Sequence, residues 1–157
     1  MQGRKISSGA FANISYETLE CYVEHVNFMT ATGPISREHR IPVYRQTLQG
    51  NPSSSYFAIL DNRRGYEDEF SYDDMLILSD ITLKAGIRRI VSVSVTSESA
   101  YLNIVKLSQA VAHTKDIELD SMTTHCMDKA KNFILFRIQG IANKPSQSFR
   151  LINSLSQ

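Results

Sequence analysis

The period of the apolar positions changes repeatedly along the chain, and each change marks an element. Tyr56-Phe57-Ala58-Ile59-Leu60 is an unbroken apolar run of strand length that stops at Asp61-Asn62-Arg63-Arg64-Gly65, which predicts a central strand. Ser71-Tyr72-Asp73-Asp74 has the form of a capping box with an aspartate in the usual glutamate place. Met75, Leu78 and Thr82 or Leu83 then supply an apolar helical face up to Gly86, a natural C-terminal stop. Ile90 to Val95 is rich in β-branched residues, and Tyr101, Ile104, Val105, Ser108, Val111 and Ala112 follow at helical spacing. Ile117 to Met122 predicts a further strand, and Ala130, Phe133, Ile134 and Arg137 or Ile138 mark a last amphipathic helix after Asp128. Strands alternating with helices through short links imply parallel strands joined by right-handed crossovers.

The N-terminal half is less regular. Between Ile14 and Thr32, Tyr16, Leu19, Val23, Val26 and Met29 fit a helical stripe, whereas Tyr22, Glu24, Val26, Phe28 and Thr30 alternate as in a strand. The run from Val26 to Thr32 ends at Gly33-Pro34, so two antiparallel strands are expected. Ser36 suits an N-cap for a helix carrying Ile41, Tyr44 and Leu48, and Pro42 predicts that this helix begins late or kinks. Gly50 to Ser55 reads as a loop. Residues 1–12 read as a flexible leader, 13–141 as one α/β domain and 142–157 as a C-terminal tail. The expected fold is a single-layer, mixed but mostly parallel sheet of about five strands with about four helices.

Composition narrows the function classes. With 42% hydrophobic and 21% charged residues over 157 positions, the chain belongs with ordinary globular domains. Seventeen Lys and Arg stand against sixteen Asp and Glu, and a net charge of +1 lacks the field that drives binding to nucleic acid. No apolar run is long enough to span a bilayer, and Met1 to Ala10 has no signal-like apolar core, so membrane insertion is not expected and a cytoplasmic location is. Cys21 and Cys126 make no Cys-x-x-Cys motif and are expected as reduced thiols.

Catalytic and cofactor signatures are missing. No Gly-rich phosphate cradle and no G-x-S-x-G elbow occurs. His25, His39, His113 and His125 show no metal-ligand spacing, and neither a metal nor a cofactor is expected. His125 beside Cys126 is the most tempting nucleophilic pair, but adjacent strand residues would face opposite ways.

In layout the chain resembles the STAS-domain, SpoIIAA-like group of bacterial proteins, whose prototype antagonises an anti-sigma factor. Two initial strands, a helix and three strand–helix units give that group's order from about Ile14 to Phe136. Tyr56 to Gly65 is similar to its apolar strand ending in Leu-Asp-x-Arg, Ile87-Arg88-Arg89-Ile90-Val91 to its next strand, and Asp128 to Phe133 to the start of its terminal helix. The resemblance implies a non-enzymatic regulatory module that binds a protein partner in bacterial signalling or stress response, and leaves a homodimer open. It also implies Ser71 as a positional candidate for phosphorylation. The family's Asp-Ser-x-Gly reads here as Asp68-Glu69-Phe70-Ser71-Tyr72-Asp73, without the adjacent acid and the glycine.

Two strand-to-helix turns therefore carry the candidate binding residues: Asp61, Arg63 and Arg64 in the first, and Glu67, Asp68, Ser71, Asp73 and Asp74 in the second. Arginine forks at a strand's carboxyl end suit an anion or a partner carboxylate. Glu67 to Asp80 contains no basic residue, which predicts a negative patch suited to a basic partner. Two rival readings are a small-ligand domain, for an anion or lipid, with a pocket near Asp61, Arg63 and Tyr101, and a hydrolase-type enzyme using Asp61 or His125 as general base.

Overall fold

The computed structural model describes residues 3–97, 106, 108–111, 113 and 115–142. Strands β1 (Arg4–Phe11), β2 (Ile14–Cys21) and β3 (Glu24–Ala31) precede helix α1 (Arg37–Leu48). Strand β4 (Ser55–Asn62), helix α2 (Tyr72–Lys84), β5 (Arg89–Thr96), β6 (Glu118–Thr124) and α3 (Met127–Ala142) follow. A fourth helical stretch, between β5 and β6, is described at Lys106, 108–111 and His113. Tyr101, Ile104, Val105 and Ala112 of the predicted helix, and the tail beyond Ala142, lie outside the described residues.

The six strands form one mixed sheet in sequential order. β1, β2 and β3 are antiparallel neighbours, and β3 to β6 are parallel. The fold is thus the expected α/β single sheet with one strand more than the sequence suggests. The added strand is β1, in the segment read as a leader. It has almost no buried face, so apolar periodicity has nothing to register there. Its order comes from the backbone ladder to β2, which any residue type can form. Arg4–Glu20 and Lys5–Glu17 ion pairs accompany the ladder, and Gly9 lies so close to the Tyr16 ring that a Cβ would fall 2.9 Å from it.

Each face of the sheet packs on its own helix layer. On one face Phe57, Ile59, Val91, Val93 and Val95 meet Ala130, Ile134 and Ile138, which recur every four residues along α3. On the other, Met29, Tyr56, Ala58 and Leu60 meet Val43 and Leu48 of α1. The strictly alternating β5 divides its side chains between the two: valines toward α3, Ser92 and Ser94 toward the other layer.

Pro42 does not delay α1, which runs from Arg37 to Leu48 behind Ser36, the N-cap residue by position, whose side chain makes no cap hydrogen bond. Tertiary packing outweighs the lost amide bond. Val43 is buried, and Thr47 Oγ1 lies 2.7 Å from the hydroxyl of buried Tyr56. The buried face is Arg40, Val43, Thr47 and Leu48; of the expected Ile41, Tyr44 and Leu48 stripe, Leu48 is buried and Tyr44 packs half-buried against the core beside Tyr56. Helix α2 ends as expected. Gly86 has φ +84°, and Ile87 N and Gly86 N donate to Thr82 O and Leu83 O at 3.2 and 2.9 Å.

Candidate functional site

α1 and α2 both begin beyond the carboxyl ends of parallel strands, where open α/β sheets place ligands. The connection from β4 to α2 is drawn toward the start of α1 in three steps. Buried Asn62 holds the first turn, with Nδ2 donating to Tyr66 O at 2.9 Å and Oδ1 accepting from Tyr66 N at 3.0 Å. Ile35 then pairs with the strand-like segment around Asp68: Ile35 N donates to Glu67 O at 2.8 Å, and Glu69 N to Ile35 O at 3.0 Å. Finally Ser71 and Asp74 close the capping box, Asp74 N donating to Ser71 Oγ at 3.1 Å and Ser71 N to Asp74 Oδ2 at 3.0 Å.

Two arginines of α1 face this segment. Arg40 forms an ion pair with Asp68, both side chains nearly inaccessible, and its guanidinium lies 4.6 Å from the centre of the Phe70 ring. Arg37 Nη1 lies 3.2 Å from Asp74 Oδ1, so one carboxylate serves both as helix cap and as bridge between the two helix starts. Asp68 and Asp74 are therefore internal braces, and the negative patch read from the sequence is thinner than its charge count. Glu67, Glu69 and Asp73 remain exposed, as does Tyr72, half of whose surface is accessible.

Ser71 carries the cap, and its hydroxyl is occupied by the Asp74 amide. A phosphate there would set a dianion against the Asp74 carboxylate. The earlier turn is organised separately. Arg63 clasps Asp61 with Nε at 3.0 Å and Nη2 at 2.8 Å, and Arg63 N donates to the same carboxylate at 3.1 Å. The Arg63 hydrogen bonds hold the Asp61 carboxyl below the usual carboxylate range despite partial burial. Arg64 is exposed beside this pair.

His125 and Cys126 lie past the end of β6 in the link to α3, rather than on a strand. His125 Nδ1 is directed at the backbone oxygen of Thr96, and Cys126 N donates to Thr124 Oγ1 at 3.2 Å. Among the described residues, no group of three or more His, Cys, Asp or Glu is arranged to hold a metal ion. No helix among them is long and apolar enough to cross a membrane.

Sequence reasoning missed Arg37 and Arg40. A usable signal was present: two arginines one helical turn apart, preceding a long acidic run that has no base of its own. Comparison with known proteins adds no relative: no family model matches the chain, and no curated protein or solved structure does.

Proposed function

We propose that this chain is a non-enzymatic regulatory module of STAS, SpoIIAA-like type that binds a protein partner at the face where α1 and α2 begin. The observation that carries the reading is the division of labour among the acidic residues. Asp68 and Asp74 are paired with Arg40 and Arg37, while Glu67, Glu69, Tyr72 and Asp73 stay exposed. Inner pairs that hold the backbone in place reduce the ordering cost of association. An exposed tyrosine offers an amphipathic anchor, and the outer carboxylates favour encounter with a basic surface. The sequential strand order and the helix after each parallel strand support the family reading. Such a module would act in the bacterial cytoplasm, in signalling or stress response, with Ser71 as a structural cap and the monomer or a homodimer as the binding unit.

The test is affinity capture from the native host with quantitative mass spectrometry, using the wild type, Tyr72→Ala, Asp73→Lys and, as a remote control, Val23→Ser. The expected result is a basic-surfaced protein recovered with wild type and control but reduced at least tenfold with both face variants. Its binding, rebuilt from the two purified proteins, should weaken with added salt. Identical recovery across all four baits would overturn the proposal.

A further inference from the structure

A second feature lies beneath α1 and α2 rather than on their exposed ends. Between these helices and the sheet is a cavity of about 140 Å³. Its floor is a row of small side chains in register across three parallel strands: Ala58 on β4 faces Ser92 on β5, which faces Ser121 on β6. On the opposite sheet face the neighbouring β4–β5 pairs are Phe57 with Val91 and Ile59 with Val93, all four buried in the cluster that includes Ala130, Ile134 and Ile138 of α3. Small residues under a helix layer leave volume unoccupied and forfeit dispersion contacts, which a leucine at the same place would recover.

The lining specifies what fits. Leu60, Met75, Leu78 and Ile90 give apolar walls, with Tyr44 and Tyr56 at one side. Ser92, Ser94 and Ser121 give hydroxyls on the floor, able to donate or accept. Arg40 borders the cavity, but its charge faces the Asp68 carboxylate, so among the described residues the lining presents no net charge to an occupant. Apolar cavities of roughly 150 Å³ admit a benzene-sized molecule. We propose that this cavity is a binding site for a small uncharged amphipathic molecule of about eight non-hydrogen atoms, with an apolar body and one hydroxyl or carbonyl group. This goes beyond the partner reading and stands independently of it, since it involves the buried side of the helices.

Benzyl alcohol is the probe, titrated into the ¹⁵N-labelled full chain and followed by amide chemical shifts, with benzoate as the charged comparator. Saturable shifts are expected at the amides of Ser92, Ser94 and Ser121, with at least tenfold weaker binding of benzoate. Ser92→Leu fills the floor. It should keep the native spectrum and lose benzyl alcohol binding by at least tenfold. Should that variant fail to fold, Ser121→Val makes the same test at the neighbouring strand. Absence of saturation in the wild type, shifts that map away from the cavity, equal binding of benzoate, or binding retained in the filled variant would each overturn the proposal.

Discussion

Arg40 and Asp68, 28 residues apart in the chain, meet as an ion pair whose side chains are only 7% and 2% exposed. The pair pins the β4–α2 connection against α1 and thereby sets the relation between the two helix starts. Removing one member of a buried pair strands the other charge, so Asp68→Ala should cost about 3–5 kcal/mol. Replacing both, as in Arg40→Met with Asp68→Leu, should recover most of that loss. Urea unfolding midpoints with unchanged slope provide the measurement, and a single-variant cost below about 1 kcal/mol would show that the pair does not brace the connection.

The capping box makes a distinct prediction at Ser71. Alanine there removes the acceptor for Asp74 N and should destabilise the fold by about 1 kcal/mol, whereas Ser71→Asn should stay within a few tenths of wild type. Thermal unfolding of the three proteins distinguishes the cap from a general effect of changing the position. Equal losses for Ala and Asn would argue against it.

Asp61 should show its partner in its titration. Because the folded carboxyl is held below its ordinary value, chiefly by the Arg63 hydrogen bonds, the associated stabilisation is present above the unfolded pKa of about 4. It is lost as pH falls through the lower folded value. Arg63 is largely exposed, so Arg63→Gln should cost no more than about 0.5 kcal/mol at neutral pH. Stability curves of wild type and variant should converge once pH falls below the depressed value of the folded Asp61 carboxyl. In carbon-detected NMR the Asp61 carboxyl should titrate at higher pH in the variant. An unchanged titration midpoint would separate Asp61 from Arg63.

The β1–β2 hairpin carries removable strain. Phe11 pairs with Ile14, which leaves Ala12 and Asn13 as its loop, and Ala12 sits at φ +50°. A side chain in that region is disfavoured, and glycine relieves it at some entropic cost. Ala12→Gly should therefore stabilise the protein by about 0.5–1 kcal/mol in chemical denaturation. A loss of stability would mean that the Ala12 conformation costs little.

Legibility followed the range of the information. Tyr56 to Leu60 was readable as a central strand because burial on both faces leaves an unbroken apolar run, and Ser71, Asp74 and Gly86 were readable because caps are written within four residues of the helix end they serve. The hairpin loops Ala12-Asn13 and Tyr22-Val23 lack the glycine that marks such turns, so the first hairpin was invisible. Val-Ser alternation in β5 was legible as a strand, but not as the floor of a cavity, since a polar face reads the same whether it meets water or a helix layer.

By itself the sequence determined the alternation of strands and helices, the central place of β4 and the local chemistry at both ends of α2, all of which depend on neighbours along the chain. Only the tertiary structure decided that β1 joins the sheet, that Arg37 and Arg40 neutralise Asp74 and Asp68, and that Ala58, Ser92 and Ser121 leave a hollow beneath two helices. The reason is physical. Backbone ladders are indifferent to side-chain identity, and the distance across which two charges or two small residues meet is set by chain closure, which no local pattern encodes.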